Sequence, residues 1–244
     1  MMDRRYWENK AQYAQPDDAQ LSRNVSATMR KGAIRGKHMD PVIIEGKHIV
    51  KSWWGKAWCE NLERYADFEN RLARGKRYVR MNTVVDLQIH KGKVSARVQG
   101  RRKAPYKVEV RISPISEQRC QAVIAKCGQK IDNLEKLLNG DFPTELKDVF
   151  LAEDGLFPAQ NEISFQCSCP DWALMCKHVA AALYGVGTRL DEKPLMFFEL
   201  RGIDVDRFID VTLANKVEAM LQNVDQRTER MLDEDSVRGL FGVL

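Results

Sequence analysis

The stretch Phe165-Gln166-Cys167-Ser168-Cys169-Pro170-Asp171-Trp172-Ala173-Leu174-Met175-Cys176-Lys177-His178-Val179-Ala180-Ala181-Ala182-Leu183-Tyr184 holds three of the chain's six cysteines and one of its four histidines within twelve residues. Four soft or borderline donors at that density suit a closed, tetrahedral Cys3His zinc site. Side chains at i and i+2 of a strand share a face, so Cys167 and Cys169 can reach one ion from one strand edge. Pro170-Asp171 then turns the chain. Cys176 and His178 return at the mouth of the Ala-rich segment, which reads as a short helix. A strand pair, a turn and a helix closed on one ion form a small zinc-stabilised ββα module within 151–190, expected to fold only with metal bound.

Competing readings of these residues are weaker. Ordinary core cysteines with a stray histidine do not predict this spacing. Neighbours in a C-x-C are poor disulfide partners, and nothing marks the chain as secreted. A catalytic zinc keeps an open position, whereas here protein donors fill all four, three of them thiolates. One structural Zn2+ is therefore expected, held by Cys167, Cys169, Cys176 and His178. Cys120 and Cys127 lie seven apart on an apolar helical stripe, and Cys59 follows Trp58; all three read as core.

Upstream, the periodicity is two. Val84 to Ile89, Lys93 to Gln99 and Tyr106 to Ile112 alternate apolar and polar, with turn residues at Lys91-Gly92 and Gly100-Arg101-Arg102. That pattern predicts a three-stranded antiparallel meander with one wet face. Trp54, Trp58, Leu62, Tyr65 and Leu72 recur at helical spacing and predict a helix over 53–74, capped by Gly75. Ser116 is placed to cap a helix carrying Cys120, Val123, Ile124, Cys127, Ile131, Leu134 and Leu138, ended by Asn139-Gly140. A short helix is expected over 142–150 and a charged amphipathic one over 210–233. The fold class is thus α+β. An antiparallel β meander with helices (46–150) follows a basic, loosely ordered arm (1–45). The zinc module (151–190) and a helical, acidic segment (191–244) come after it. The module is expected to unfold on metal loss and leave the meander intact.

The net charge of +5 conceals an asymmetry: residues 1–110 hold 24 Lys and Arg against 12 acids, and residues 111–244 hold 15 against 22. Residues 71–107 carry twelve cations and one acid, Asp86. Arg74, Lys76, Arg77, Arg80, Lys93, Arg97, Arg101, Arg102, Lys103 and Lys107 are candidate phosphate contacts, the electrostatic footprint of a nucleic-acid binder. Tyr78 and Tyr106 lie among them and could stack on bases. DNA is the expected ligand, with RNA, and single strand against duplex, open. No stretch approaches the length of a membrane span, and the charged start lacks a signal-peptide core, so a cytoplasmic location and no membrane partner are expected.

The motif C-x-C, a gap, then C-x-H resembles the SWIM-type zinc finger, and Cys167, Cys169, Cys176 and His178 fill every position of it. Phe165, Pro170-Asp171 and Val179-Ala180-Ala181 resemble its usual flanks. The stretches Ser52 to Trp58, Arg71 to Arg80, Val98-Gln99-Gly100, Pro105 to Val108 and Leu240-Phe241-Gly242 look like bacterial stand-alone SWIM proteins associated with Snf-type helicase-like ATPases. The resemblance implies nucleic-acid or protein interaction, with such an ATPase as a partner, and no catalysis by the zinc. A protein-interaction adaptor without direct nucleic-acid contact is the alternative, its surfaces being Trp53, Trp54 and Trp58 and the acidic C-terminal helix. An enzyme is not expected. Asp86 and Glu109 stand on separate strands rather than in a carboxylate cluster, and no phosphate-binding G-x-x-x-x-G-K-[ST] loop occurs.

Overall fold

The computed structural model describes residues 16–130, 142–152 and 155–222 of the 244-residue chain. Strands β1 (Val84–His90), β2 (Lys93–Val98), β3 (Tyr106–Ile112) and β4 (Ile163–Cys167) form an antiparallel sheet in the order β1-β2-β3-β4. The first three are the expected meander. Cross-strand partners run Leu87–Ala96–Val108–Cys167 and Ile89–Val94–Val110–Phe165 on the core face, and Gln88–Ser95–Glu109–Gln166 on the wet face. Alternation sets which face each side chain takes. A bulge between Val84 and Asp86 interrupts the alternation, and both Val84 and Val85 are fully buried. The outer edge of β1 is covered by residues 40–44: Leu87 N–H bonds to Asp40 O and Val42 N–H to Val84 O, both at 2.9 Å.

The helices are α1 (Asp18–Ile34), α2 (Trp53–Glu63), α3 (Glu69–Arg80), α4 (Glu117–Lys130), α5 (Lys147–Leu151), α6 (Lys177–Glu192), α7 (Met196–Leu200) and α8 (Val205–Gln222). Helix α6 is the centre of the molecule. It packs on the core face of the sheet and against α2 and α3, and is buried along most of its length. Its small residues make this possible. A Cβ built on Gly75 of α3 would lie 2.5 Å from Ala180 Cβ, so the two helices touch nearly backbone to backbone. Gly75 is therefore an interior packing residue rather than the cap expected after residue 74.

The predicted helix over 53–74 is two helices. Ser52 caps the first, accepting the Gly55 N–H at 3.0 Å, and the chain breaks between Arg64 and Phe68 before α3 begins. Trp53, Trp54 and Trp58 face inward, among Phe142, Phe150, Phe157 and Phe197. Their indole N–H groups donate to the carbonyls of Phe142, Leu190 and Leu183, each at 3.0 Å. Trp58 is fully buried, while Trp53 and Trp54 are half-buried and pack against the core. Ser116 caps α4 as expected, accepting from Arg119 N–H. Ile131, Leu134, Leu138 and Asn139-Gly140 lie outside the described residues, as does 223–244, which holds the end of the predicted 210–233 helix.

Two expectations are corrected. The arm is not loosely ordered over 18–34. Asp17 caps α1 through Gln20 N–H, and Arg77 grips Asp18 and Pro16 O. Asn24 and Thr28 bond to Gly100 O and Gln99 Oε1, with Leu21 fully buried. Nor is the zinc segment a module apart. β4 completes the meander's sheet and α6 fills its core, so residues 46–150 and 151–190 share one hydrophobic interior.

Candidate metal centre

Three local structures bring the four donors together. Cys167 ends β4, paired opposite Val108 of β3. Cys169 follows after the chain leaves the sheet, where Ser168 N–H bonds to Lys107 O and Ser168 Oγ accepts Lys107 N–H. Cys176 is the N-cap of α6, and His178 lies in its first turn. The donor atoms of Cys167, Cys169, Cys176 and His178 lie within 4.8 Å of one another. His178 Nδ1 is 4.0 Å from Cys167 Sγ and 3.9 Å from Cys176 Sγ. A tetrahedral ion with bonds of about 2.3 Å to sulfur and about 2.0 Å to nitrogen needs edges of roughly 3.5–3.8 Å, so a small contraction closes the site.

The electrostatics also suit thiolates. Each sulfur accepts a backbone N–H: Cys167 from Cys169, Cys169 from Asp171, and Cys176 from Val179 at the start of α6. A helix N-terminus and N–H donors favour the charged sulfur. Hydrogen bonding with the Cys167 and Cys176 thiols holds Cys169 far below the ordinary thiol value, and bonding with Cys169 and Cys176 pushes Cys167 up. Burial pushes the His178 imidazole down, keeping it in the neutral form a metal requires.

The ring of His178 is fixed on both faces. Tyr106 stacks on it with centroids 4.2 Å apart, and Tyr78 meets it edge to face at 5.5 Å. Its Nε2 is buried without a hydrogen-bond partner and points at Gly100, where a Cβ would lie only 3.1 Å away. Only glycine leaves this room, which gives the Val98-Gln99-Gly100 stretch its role. The donor set, the spacing and the neutral, locked histidine fit one structural zinc ion. Tyr78 is fully buried and its hydroxyl is pushed up to about 12 by desolvation. Neither tyrosine is placed to stack on a base.

Sequence reasoning misses the part played by the loop between the ligand pairs. Asp67, in the break between α2 and α3, accepts Leu174 N–H at 2.8 Å and Met175 N–H at 3.2 Å. Arg71 pairs with Asp171 at 3.2 Å. Between these ties Trp172 projects outward, 82 % exposed, against Phe68. The one signal for this in the sequence is a tryptophan in a short turn between ligands.

The ten candidate cations do not form one patch. Lys93, Arg97 and Lys107 lie on the wet face of the sheet, turned away from α6, with Arg97 directly opposite Lys107. Lys93 pairs with Glu109 at 2.7 Å and Arg97 with Asp86 at 3.8 Å. Arg74, Lys76, Arg77 and Arg80 ride on α3, which packs against α6 on the other side of the sheet. Lys76 is held by Glu63 at 2.8 Å and Arg77 by Asp18. Arg101, Arg102 and Lys103 are exposed in the β2–β3 loop, with Arg102 over the Tyr106 ring at 5.3 Å. This loop therefore lies one ring away from His178. Among the described residues no helix is long and apolar enough to cross a membrane.

The chain is 36 % identical over 156 residues to the uncharacterized protein Rv2102 of Mycobacterium tuberculosis (strain ATCC 25618 / H37Rv). That match covers 63 % of this chain and 56 % of the relative, so the chain spans little more than half of the curated relative's length. No solved structure matches. Residues 153–186 match the SWIM zinc finger model, and all four clustered donors fall inside that segment.

Proposed function

We propose that the protein is a zinc-structured accessory factor, without a catalytic step of its own, that binds nucleic acid, chiefly DNA, through its phosphates. The observation that carries this reading is the exposed Arg101-Arg102-Lys103 loop, set one ring away from the metal centre. Zinc fixes His178, His178 stacks on Tyr106, and Tyr106 backs the cationic loop. Metal binding thereby orders a surface that attracts phosphate. The cations of α3 and of β2 are mostly engaged with acids and contribute less. A cytoplasmic Snf-type helicase-like ATPase is the proposed motor partner, suggested by the resemblance of the finger and its flanking stretches.

Fluorescence anisotropy of labelled duplex DNA, titrated with zinc-loaded protein at two salt concentrations, tests the reading. Saturable binding that weakens steeply with salt is expected, because each neutralised phosphate releases about 0.9 of a counterion. The double variant Arg101→Glu, Arg102→Glu should abolish it. Absence of binding at low salt would overturn the proposal.

A further inference from the structure

We infer that Trp172 is a stacking platform for an unpaired base, and hence that the metal-centre face selects single-stranded nucleic acid. This rests on the reading of the cationic loop as a phosphate contact.

An indole 82 % exposed is costly to leave in water, and this one is not on a loose tail. Zinc ligands bracket it on both sides, at Cys169 and Cys176. Asp67 ties down two backbone N–H groups of its loop, and Asp171 accepts the Ala173 N–H at 3.3 Å while pairing with Arg71. Phe68 buttresses the indole, with centroids 5.4 Å apart and ring planes at 88°. The ring is thus held out rigidly, so little conformational entropy remains to be lost on binding.

Beside the ring stand the exposed Leu174 and two cationic side chains, of which Arg71 is paired with Asp171. Lys177, between Cys176 and His178, lies over the Tyr78 ring at 5.9 Å, and Arg71 lies 5.9 Å from the Phe68 ring. Across the same metal centre stands the Arg101-Arg102-Lys103 loop, joined to it through Tyr106 and His178. An aromatic face on one side of the metal centre and a cation cluster on the other match how single strands are held. Phosphates track the charges, and a base stacks on the ring irrespective of its identity. Bases within a duplex are already stacked and offer the indole no face.

The test compares wild type, Trp172→Ala and Trp172→Phe, each checked for one bound zinc. The probes are a labelled oligothymidylate of about 12 nucleotides and the corresponding duplex. The expected result is a loss of about tenfold in single-strand affinity for Trp172→Ala, substantial retention in Trp172→Phe, and unchanged duplex binding in both. Single strand should also quench a fluorescence component of the wild type that both variants lack. Equal single-strand affinity in wild type and Trp172→Ala would overturn the inference while leaving the phosphate-binding reading standing. No binding of either probe by wild type would sink both. An equal loss for single strand and duplex in Trp172→Ala would also count against stacking, making Trp172 a general contact.

Discussion

Gly75 of α3 and Ala180 of α6 meet so closely that a Cβ on Gly75 would lie 2.5 Å from Ala180 Cβ and 3.2 Å from the Ala180 carbonyl carbon. Two segments separated by a hundred residues are thereby locked at the point where the metal-bearing helix enters the core. Backbone does not give way as a flexible side chain does. Gly75→Val should therefore destabilise by about 1–3 kcal/mol, despite removing a glycine from a helix. Urea unfolding of the zinc-loaded protein should show a lower midpoint with an unchanged slope. A midpoint equal to wild type would mean that α3 can slide on α6.

The same contact changes what metal loss does. Cys176 is a ligand, the cap of α6 and a buried core residue at once. Cys176→Ser should bind no zinc and should lower the stability of the whole chain, sheet and tryptophan cluster together, because Trp58 donates to Leu183 O of α6. Far-ultraviolet circular dichroism and tryptophan fluorescence should then report one shared transition. A sheet signal that survives α6 unfolding would restore the separable module the sequence suggests. Cys120→Ser, far from the ligands in α4, should keep one equivalent of zinc.

What is legible in the sequence is whatever rests on local period and donor chemistry. Beyond the bulge at Val84–Asp86 the strands up to Ile112 alternate apolar and polar, so the meander and its wet face can be read directly. The ligands are readable because four donors crowded into twelve residues suit a metal site and little else. What escapes depends on contacts distant in sequence. Asp17 is a good cap, yet α1 buries little apolar surface beyond Leu21 and is docked by Asn24, Thr28 and Arg77 across more than fifty residues. The role of β4 as a fourth strand needs a partner on β3, which no local pattern announces. Gly75 reads as a cap because helix-ending and helix-packing glycines look alike in one dimension. Arg97 and Lys93 look like free cations only because their partners, Asp86 and Glu109, lie on neighbouring strands.

Acid should weaken the fold through Glu162. Burial pushes its carboxyl up, but the Ala159 N–H and the Arg201 and Arg119 guanidinium groups outweigh burial and hold it below its ordinary value of 4.5. The folded state therefore binds its proton less tightly than the unfolded chain. The stabilisation is present above pH 4.5 and is lost as pH falls through the depressed folded value. Arg201 is fully buried and donates to Glu162 and to Ser113 O. Glu162→Gln should cost about 3 kcal/mol at neutral pH by leaving that charge uncompensated. It should also flatten the acid limb of the stability profile. An acid limb identical to wild type would place the sensitivity elsewhere.

Tyr106 should matter for metal affinity although it is no ligand. Its ring lies 4.2 Å from that of His178 and is backed by Arg102 on the loop. The imidazole Nε2 has no hydrogen-bond partner to orient it, so packing between Tyr106, Tyr78 and Gly100 must do so. Groups around a metal site that hold a ligand in place are worth about 10–100-fold in affinity when they hydrogen-bond, and a stacking contact belongs at the lower end of that range. Tyr106→Leu should weaken zinc binding about tenfold in competition with a chromophoric chelator, while Tyr106→Phe should bind as wild type. Equal weakening in both variants would move the effect from the ring to the hydroxyl. No weakening in either would show that α6 alone suffices to aim Nδ1 at the three sulfurs.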